Sequence, residues 1–245
     1  MNGQSFLMMP LVLLAAVPAG AAGAFETDVL PTAAGDLKVT FIGHASLMFQ
    51  FGGKVIHIDP VGQFGDYSKL PKADLILATH DHFDHCDPKT IELLRTAKTK
   101  MVMTPLCAAN LTGGTVLKNG EEANVDGIRI EAVPAYNLVH MRSPGAPYHP
   151  KGAGNGYVLT FGDKRVYIAG DTENIPEMKN LKSIDYAFLP MNLPYTMTPE
   201  MVADAARMFR PKVLYPYHTT DTDVLKLQPL LKSERGIEVR IRRMP

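Results

Sequence analysis

Short apolar runs and two-residue alternation, rather than long amphipathic stretches, organise this chain. Residues 37–42 (LKVTFI) and 45–51 (ASLMFQF) read as strands, and Gly52-Gly53 turns the second into a third over residues 54–59 (KVIHID). A Gly-rich polar loop at residues 61–72 leads to a buried strand at 74–78. Pro88 opens a helix reaching about residue 97, with Asp87 as its N-cap. A strand at 101–104, a short helix at 105–111 and two strands over 123–134, turned at Asp126-Gly127, follow. Residues 135–156 hold too many Pro, Gly and His to be regular and read as a loop bordering a site. The outline then repeats: a hairpin of 156–161 and 165–169, a strand at 185–190, and a helix at 198–209 capped by Thr198 with Pro199 in first position. A strand at 213–217 ending at His218, a helix at 225–233 and a closing strand at 237–241 complete it. Two strand-rich halves, each finished by helix–strand units, predict an α/β fold of two sheets packed face to face with helices outside. No linker-like composition divides the halves, so residues 25–245 are expected to form a single domain.

Residues 1–24 read as an address. Residues 6–16 are almost entirely apolar, and Ala22-Gly23-Ala24 offers the small-x-small pattern of a cleavage site. No Lys or Arg precedes the apolar run, and the uncharged stretch 6–24 is also long enough for an anchor. Pro10, Pro18 and the glycines make a poor spanning helix. The expectation is therefore a signal peptide cleaved near Ala24, a periplasmic or secreted mature protein, and no stable membrane insertion afterwards.

Composition narrows the partners. Hydrophobic residues make up 46% of the 245, enough for a sizeable core. Lys plus Arg equals Asp plus Glu at 25 each, so no basic field attracts nucleic acid. A small-molecule substrate is the expected partner; the oligomeric state is not legible. Cys86 and Cys107 are the two cysteines, too few for a disulfide scaffold, and either a bridge or two buried thiols fits the sequence.

The chemistry concentrates in Thr79-His80-Asp81-His82-Phe83-Asp84-His85, directly after the apolar run 74–78. Imidazole nitrogens and carboxylate oxygens are the ligands borderline metals choose. A tight turn at a strand end can aim His80 and His82 at one ion, and Asp84 and His85 at a second. His57 alternates with Ile56 and Ile58 and reads as structural, whereas His44 reads either as a partner of a ligand or as a core histidine. Tyr195 sits on a strand-to-helix loop able to line a pocket.

These residues, with Ile58-Asp59-Pro60, Gly170-Asp171-Thr172 and Tyr217-His218 in that order along the chain, resemble the metallo-β-lactamase superfamily. Residues 41–45 and 189–198 look like its branch related to ascorbate-phosphate lactonase and to the phospholipase D that releases N-acylethanolamines. The resemblance implies a four-layer αβ/βα sandwich with the site along its edge. It implies that His80 and His82 hold one metal, that Asp84, His85 and His218 hold another, and that Asp171 bridges them. Asp59 would orient a ligand histidine or Asp84 from behind. The cofactor implied is Zn2+, two ions per chain, with Mn2+ or Fe as substitutes.

One position departs from the family pattern. Where the family supplies a third histidine to the first metal, this chain has Asn137, and His140 or His149 in the same loop are the alternatives. His149 is favoured of the two because proline restrains its segment. A weakened first site would leave Asn137 free to donate to an oxyanion, which makes it a catalytic candidate beside Asp84, the proton acceptor. The resemblance implies a hydrolase cleaving a small ester, lactone or phosphodiester through a metal-bound hydroxide. The alternatives are a mononuclear or non-catalytic metal-binding protein and a diiron redox site. Specificity would lie in the loops at 61–72, 139–153 and 191–197.

Overall fold

A computed structural model describes residues 25–244; the expected signal peptide, residues 1–24, lies outside them. The first sheet runs in chain order: β1 (Glu26–Thr32), β2 (Gly35–Gly43), β3 (Ser46–Phe51), β4 (Lys54–Ile58), β5 (Leu75–Ala78), β6 (Lys100–Met103) and β7 (Thr115–Val116). Pairing is antiparallel from β1 to β4 and parallel from β4 to β7. Next come β8 (Glu122–Val125), β9 (Ile128–Ala135) and a separate small hairpin, β10 (Met141–Ser143) with β11 (Ala146–Pro147). The second sheet joins β8 and β9 to β12 (Gly154–Phe161), β13 (Lys164–Ile168), β14 (Tyr186–Pro190), β15 (Val213–Tyr217) and β16 (Glu238–Val239). It too is antiparallel up to β13 and parallel beyond. The repeat expected from the sequence is thus a repeat of topology.

Strand alternation sorts side chains into layers. Leu37, Val39, Phe41, Leu75 and Leu77 of the first sheet meet Ile130, Tyr157, Leu159, Phe188 and Tyr215 of the second in the central core. The Phe188 and Tyr215 rings stack at 4.9 Å, with Phe41 5.4 Å from Tyr215. The other face of β5 (Ile76, Ala78) packs with Ile91 and Leu94 of α1 (Pro88–Leu94) and Cys107 of α2 (Pro105–Ala108). On the far side, Val202, Ala206 and Phe209 of α3 (Pro199–Phe209) and Leu227 and Leu231 of α4 (Leu227–Leu231) cover Ala187, Leu189 and Leu214. Positions 202, 206 and 209 fall on one helical stripe, which is why α3 buries that face. The four-layer sandwich stands as expected, and Cys86 and Cys107 are buried free thiols.

Several bounds shift. The first helix stops at Leu94 instead of about residue 97, because Arg95 is extended and Thr99 Oγ1 turns back to accept from Thr96 N and donate to Ala73 O. Residues 225–233 divide into a 3₁₀ turn, Val224–Lys226, and the short α4. Strand β1 was not expected; Asp28 there is hydrogen-bonded by Tyr215 Oη at 2.6 Å and by Arg242 at 2.8 Å, and Glu26 Oε2 accepts Arg243 N at 2.6 Å. This strand of the first sheet thereby ties to the last segment of the second.

His57 points to the helical side, as its alternation predicts. It is fully buried, with Nε2 3.1 Å from Pro71 O and Nδ1 unpartnered. Burial lowers its pKa from 6.5 to about 4, against a weaker upward pull from the Pro71 hydrogen bond. Between those values the unfolded chain binds a proton that the folded one refuses, so stability is lost as pH falls through this window. By pH 4.5 the loss amounts to about 2 kcal/mol. Urea unfolding at pH 7 and 4.5 is expected to show a pH penalty smaller by that amount in His57→Gln; equal penalties in both proteins would refute it.

Candidate metal centre

The site gathers where strands from both sheets end. Three of its residues, His44, Asp59 and His218, adopt positive φ (53°, 44° and 49°), a conformation costly for side chains with a Cβ. Hydrogen bonds hold them there: His218 N donates to His44 O at 2.8 Å, joining the two sheet edges, and Asp59 N donates to Leu77 O at 2.9 Å. Gly170, at φ 63°, precedes Asp171; a Cβ there would come 2.8 Å from Asn155 O, so the turn that delivers Asp171 requires glycine.

Asp59 organises the histidine turn from behind. Its Oδ1 accepts Thr79 N at 2.8 Å, and its Oδ2 accepts Thr79 Oγ1 at 2.6 Å and His85 Nδ1 at 2.8 Å. Having given its proton to Asp59, Thr79 Oγ1 can accept from His80 Nδ1 at 3.1 Å. His149 Nδ1 donates to Asn137 Oδ1 at 2.7 Å, and the Asn192 side chain lies 3.3 Å from His218 Nδ1. In His80, His85 and His149 Nδ1 donates to an oxygen, which directs Nε2 to the cleft, while His218 turns Nε2 the same way with Nδ1 accepting from the Asn192 amide nitrogen.

Those nitrogens converge on Asp171. Its Oδ1 lies 3.3 Å from His85 Nε2; its Oδ2 lies 3.2 Å from His149 Nε2, 3.4 Å from His218 Nε2 and 4.0 Å from His80 Nε2. His85 and His218 approach to 3.1 Å, Nε2 to Nε2. The donor atoms form overlapping groups, each within 4.8 Å: His80, His82 and His149; His80, His85 and Asp171; and His44, Asp84, His85 and His218. His80 Nε2, His149 Nε2 and Asp171 Oδ1 are buried without a hydrogen-bond partner. Orphaned polar atoms of this kind are destabilising in a finished core but suit a cation. The donor set, imidazole with carboxylate, fits a borderline transition metal.

The electrostatics set His85 apart from His80 and His218. Burial holds His80 well below 6.5 and His218 at about 4, so both imidazoles are neutral. Burial also disfavours charge on His85, but Asp171 and Asp59 outweigh it and raise its pKa to about 9. Burial pushes the Asp84 carboxyl upward, yet the His44 hydrogen bond (3.1 Å) and the His85 charge hold it at about 2. Asp84 is therefore an anion at neutral pH, partly open to the cleft.

The structure brings His80, His82, Asp84, His85, Asp171 and His218 together, and it corrects the expectation for Asn137. Both amide hydrogens of Asn137 are used, to Glu173 Oε1 at 3.0 Å and Tyr195 O at 2.9 Å, and its oxygen accepts N and Nδ1 of His149. Its amide is thus fully committed to hydrogen bonds that orient His149, whose ring nitrogen groups with those of His80 and His82. His140 turns away toward Glu173. Glu173 was missed from sequence. Fully buried, it accepts the backbone N–H groups of Leu138, Val139 and His140 as well as the Asn137 amide. The only signal was its place two residues after Asp171. His44 resolves as a partner of Asp84, its ring stacked 4.5 Å from that of Phe64. Tyr195 lines the cleft.

Comparison with known proteins agrees with this geometry. The profile of the beta-lactamase superfamily domain matches residues 38–218. A UPF0173 metal-dependent hydrolase of Pelotomaculum thermopropionicum is 30% identical over 203 residues, covering 79% of this chain and 89% of its own. Its counterpart in Koribacter versatilis is 33% identical over 218 residues, covering 83% and 92%. Among solved structures, a protein of Parabacteroides distasonis is 49% identical with a TM-score of 0.86, covering 90% of this chain and all of its own. Igni18, a metallo hydrolase of Ignicoccus hospitalis, is 28% identical with a TM-score of 0.71, covering 85% and 95%. The chain belongs to the β-lactamase superfamily and is one of its metal-dependent hydrolases.

Proposed function

We propose that the protein is a dinuclear zinc hydrolase cleaving a small ester, lactone or phosphodiester. The observation that carries this reading is the set of buried, unpartnered donors (His80 Nε2, His149 Nε2 and Asp171 Oδ1) beside a second group built on Asp84, His85 and His218. His80, His82 and His149 would hold one ion, Asp84, His85 and His218 the other, with Asp171 between them. When bound, such cations lower the pKa of a water and polarise the group under attack. The chain's own part is positioning and proton handling. Asp59, Asn137 and Asn192 fix ring orientation, and the Asp84 carboxylate, ionised and partly open to the cleft, is placed to hold a proton relayed toward the leaving group. The reading includes export: β1 starts at Glu26, so cleavage after Ala24 would leave every described strand pairing intact.

The test is elemental mass spectrometry on protein purified without chelator or added metal, with a panel of esters, lactones and phosphodiesters assayed on wild type and Asp84→Asn. Two zinc ions per chain and turnover lost in the variant are the expected results. A single ion or iron would overturn the dinuclear zinc assignment, and turnover surviving in Asp84→Asn would overturn the role given to that carboxylate.

A further inference from the structure

The cleft above the histidines is a cavity of about 470 Å³. Its walls carry chemistry that the metal groups do not explain. The β10–β11 hairpin stands over it, anchored at both feet: residues 138–140 by Glu173, and His149 by Asn137. From this arm Arg142 lines the cavity, its guanidinium carbon 5.9 Å from the centre of the Tyr148 ring. Tyr148 in turn meets Tyr195 edge-on at 5.0 Å. Both tyrosines line the same cavity as His82, Asp84, His149 and His218.

Two features of this wall point to a ligand. The first is charge. Most arginines, Arg129, Arg165, Arg207, Arg210, Arg240 and Arg242 among them, are paired with a carboxylate, whereas Arg142, like Arg235, has no ion pair among the described residues. It is also the only Lys or Arg lining this cavity. The second is apolar exposure around the mouth. Phe83, 78% exposed on the histidine turn, and the exposed Tyr195 line the cavity directly, and Val139 at the foot of the hairpin and Leu193, two residues before Tyr195, are exposed as well. Large apolar groups left open around a polar centre mark a binding surface. A guanidinium beside an aromatic face can present its fork of N–H donors to a carboxylate or a phosphate.

We propose that the substrate carries an apolar, preferably aromatic, body and an oxyanion remote from the scissile bond, either carboxylate or phosphate, which Arg142 binds. The body lies on Tyr148, Tyr195 and Phe83, and the scissile group faces the histidine cluster. This rests on the hydrolase reading above. For an ester the reaction consumes one water: its oxygen bonds to the acyl carbon, the carbon–oxygen bond to the alcohol breaks, and the leaving oxygen takes a proton. Arg142 takes no part in those bond changes and is a specificity-determining residue.

The experiment compares kcat/KM for matched aryl esters bearing a remote carboxylate, a remote phosphate or a neutral carboxamide, with the metal-loaded wild type, Arg142→Gln and Arg142→Lys. Wild type is expected to prefer the anionic esters over the neutral one by about 10- to 100-fold. The preference should collapse toward unity in Arg142→Gln and return in part with Lys, and the carboxylate and phosphate arms identify which anion is taken. A purely structural role would slow all three esters alike and keep the ratio. No preference in wild type, or one that persists in Arg142→Gln, overturns the proposal. If no ester is turned over, calorimetric binding of a non-hydrolysable aryl carboxylate separates the two readings. Binding weakened at least tenfold by Arg142→Gln sustains the anion site while ester hydrolysis falls, and equal binding by both proteins refutes the anion site itself.

Discussion

Stripping divalent cations with a chelator is expected to abolish turnover and to lower the unfolding midpoint by roughly 8–16 °C. The first effect follows from a cleft whose donors have no other partner: without a cation, His80 Nε2, His149 Nε2 and Asp171 Oδ1 stay buried and unsatisfied. The second follows from mass action. A ligand present at about a thousandfold above its dissociation constant stabilises the native state by about 4 kcal/mol. Each kcal/mol moves the midpoint of a domain this size by about 2–4 °C. Calorimetric scans before and after chelation, then after zinc is restored, measure both the loss and its reversal. An unchanged midpoint would mean that the cluster holds no structural cation.

Asp59→Asn is expected to weaken metal binding by about 10- to 100-fold, although Asp59 would touch no metal. The aspartate is fully buried and accepts three hydrogen bonds, from Thr79 N, Thr79 Oγ1 and His85 Nδ1. Asparagine keeps the shape but turns an N–H₂ group toward one of those donors and removes the charge that holds His85 Nδ1–H. Breaking a buried charged pair in this way costs about 3–5 kcal/mol of stability. Competition with a chromogenic chelator gives the affinity, and denaturant unfolding gives the stability. Wild-type affinity in the variant would show that His85 is oriented without Asp59.

What the sequence made legible depends on how local each signal is. The histidine turn is a short segment after an apolar run, so its own spacing placed it, whereas Asp59 and the Gly170-Asp171 turn were placed by their resemblance to the superfamily's motifs. Helix α3 was read with its cap because Thr198 and Pro199 are themselves the start signal, and Thr198 Oγ1 accepts Met201 N at 3.1 Å. Strand β1 was not legible. Its burial alternates weakly, only Leu30 is buried, and Pro31 lies within it, so pairing with β2 makes it a strand rather than its own pattern. His149 was one of three alternatives because its position depends on contacts distant in sequence. Glu173 fixes the turn at residues 138–140 and Asn137 binds His149 across twelve positions, a closure no local periodicity encodes. Asn137 was misread for the same reason, since the partners that occupy its amide lie in three other segments.

The bond from Arg243 to Glu26 makes the described chain, topologically, almost a ring. The N-terminal strand and the C-terminal segment meet at one seam between the two sheets, and Asp28 with Arg242 fastens it. A peptide linker across that seam would allow the chain to be opened instead at an exposed turn such as Gly52-Gly53 or Asp126-Gly127, with every strand pairing kept. The order of strands along the polypeptide would then be free to change while the cleft stayed as it is.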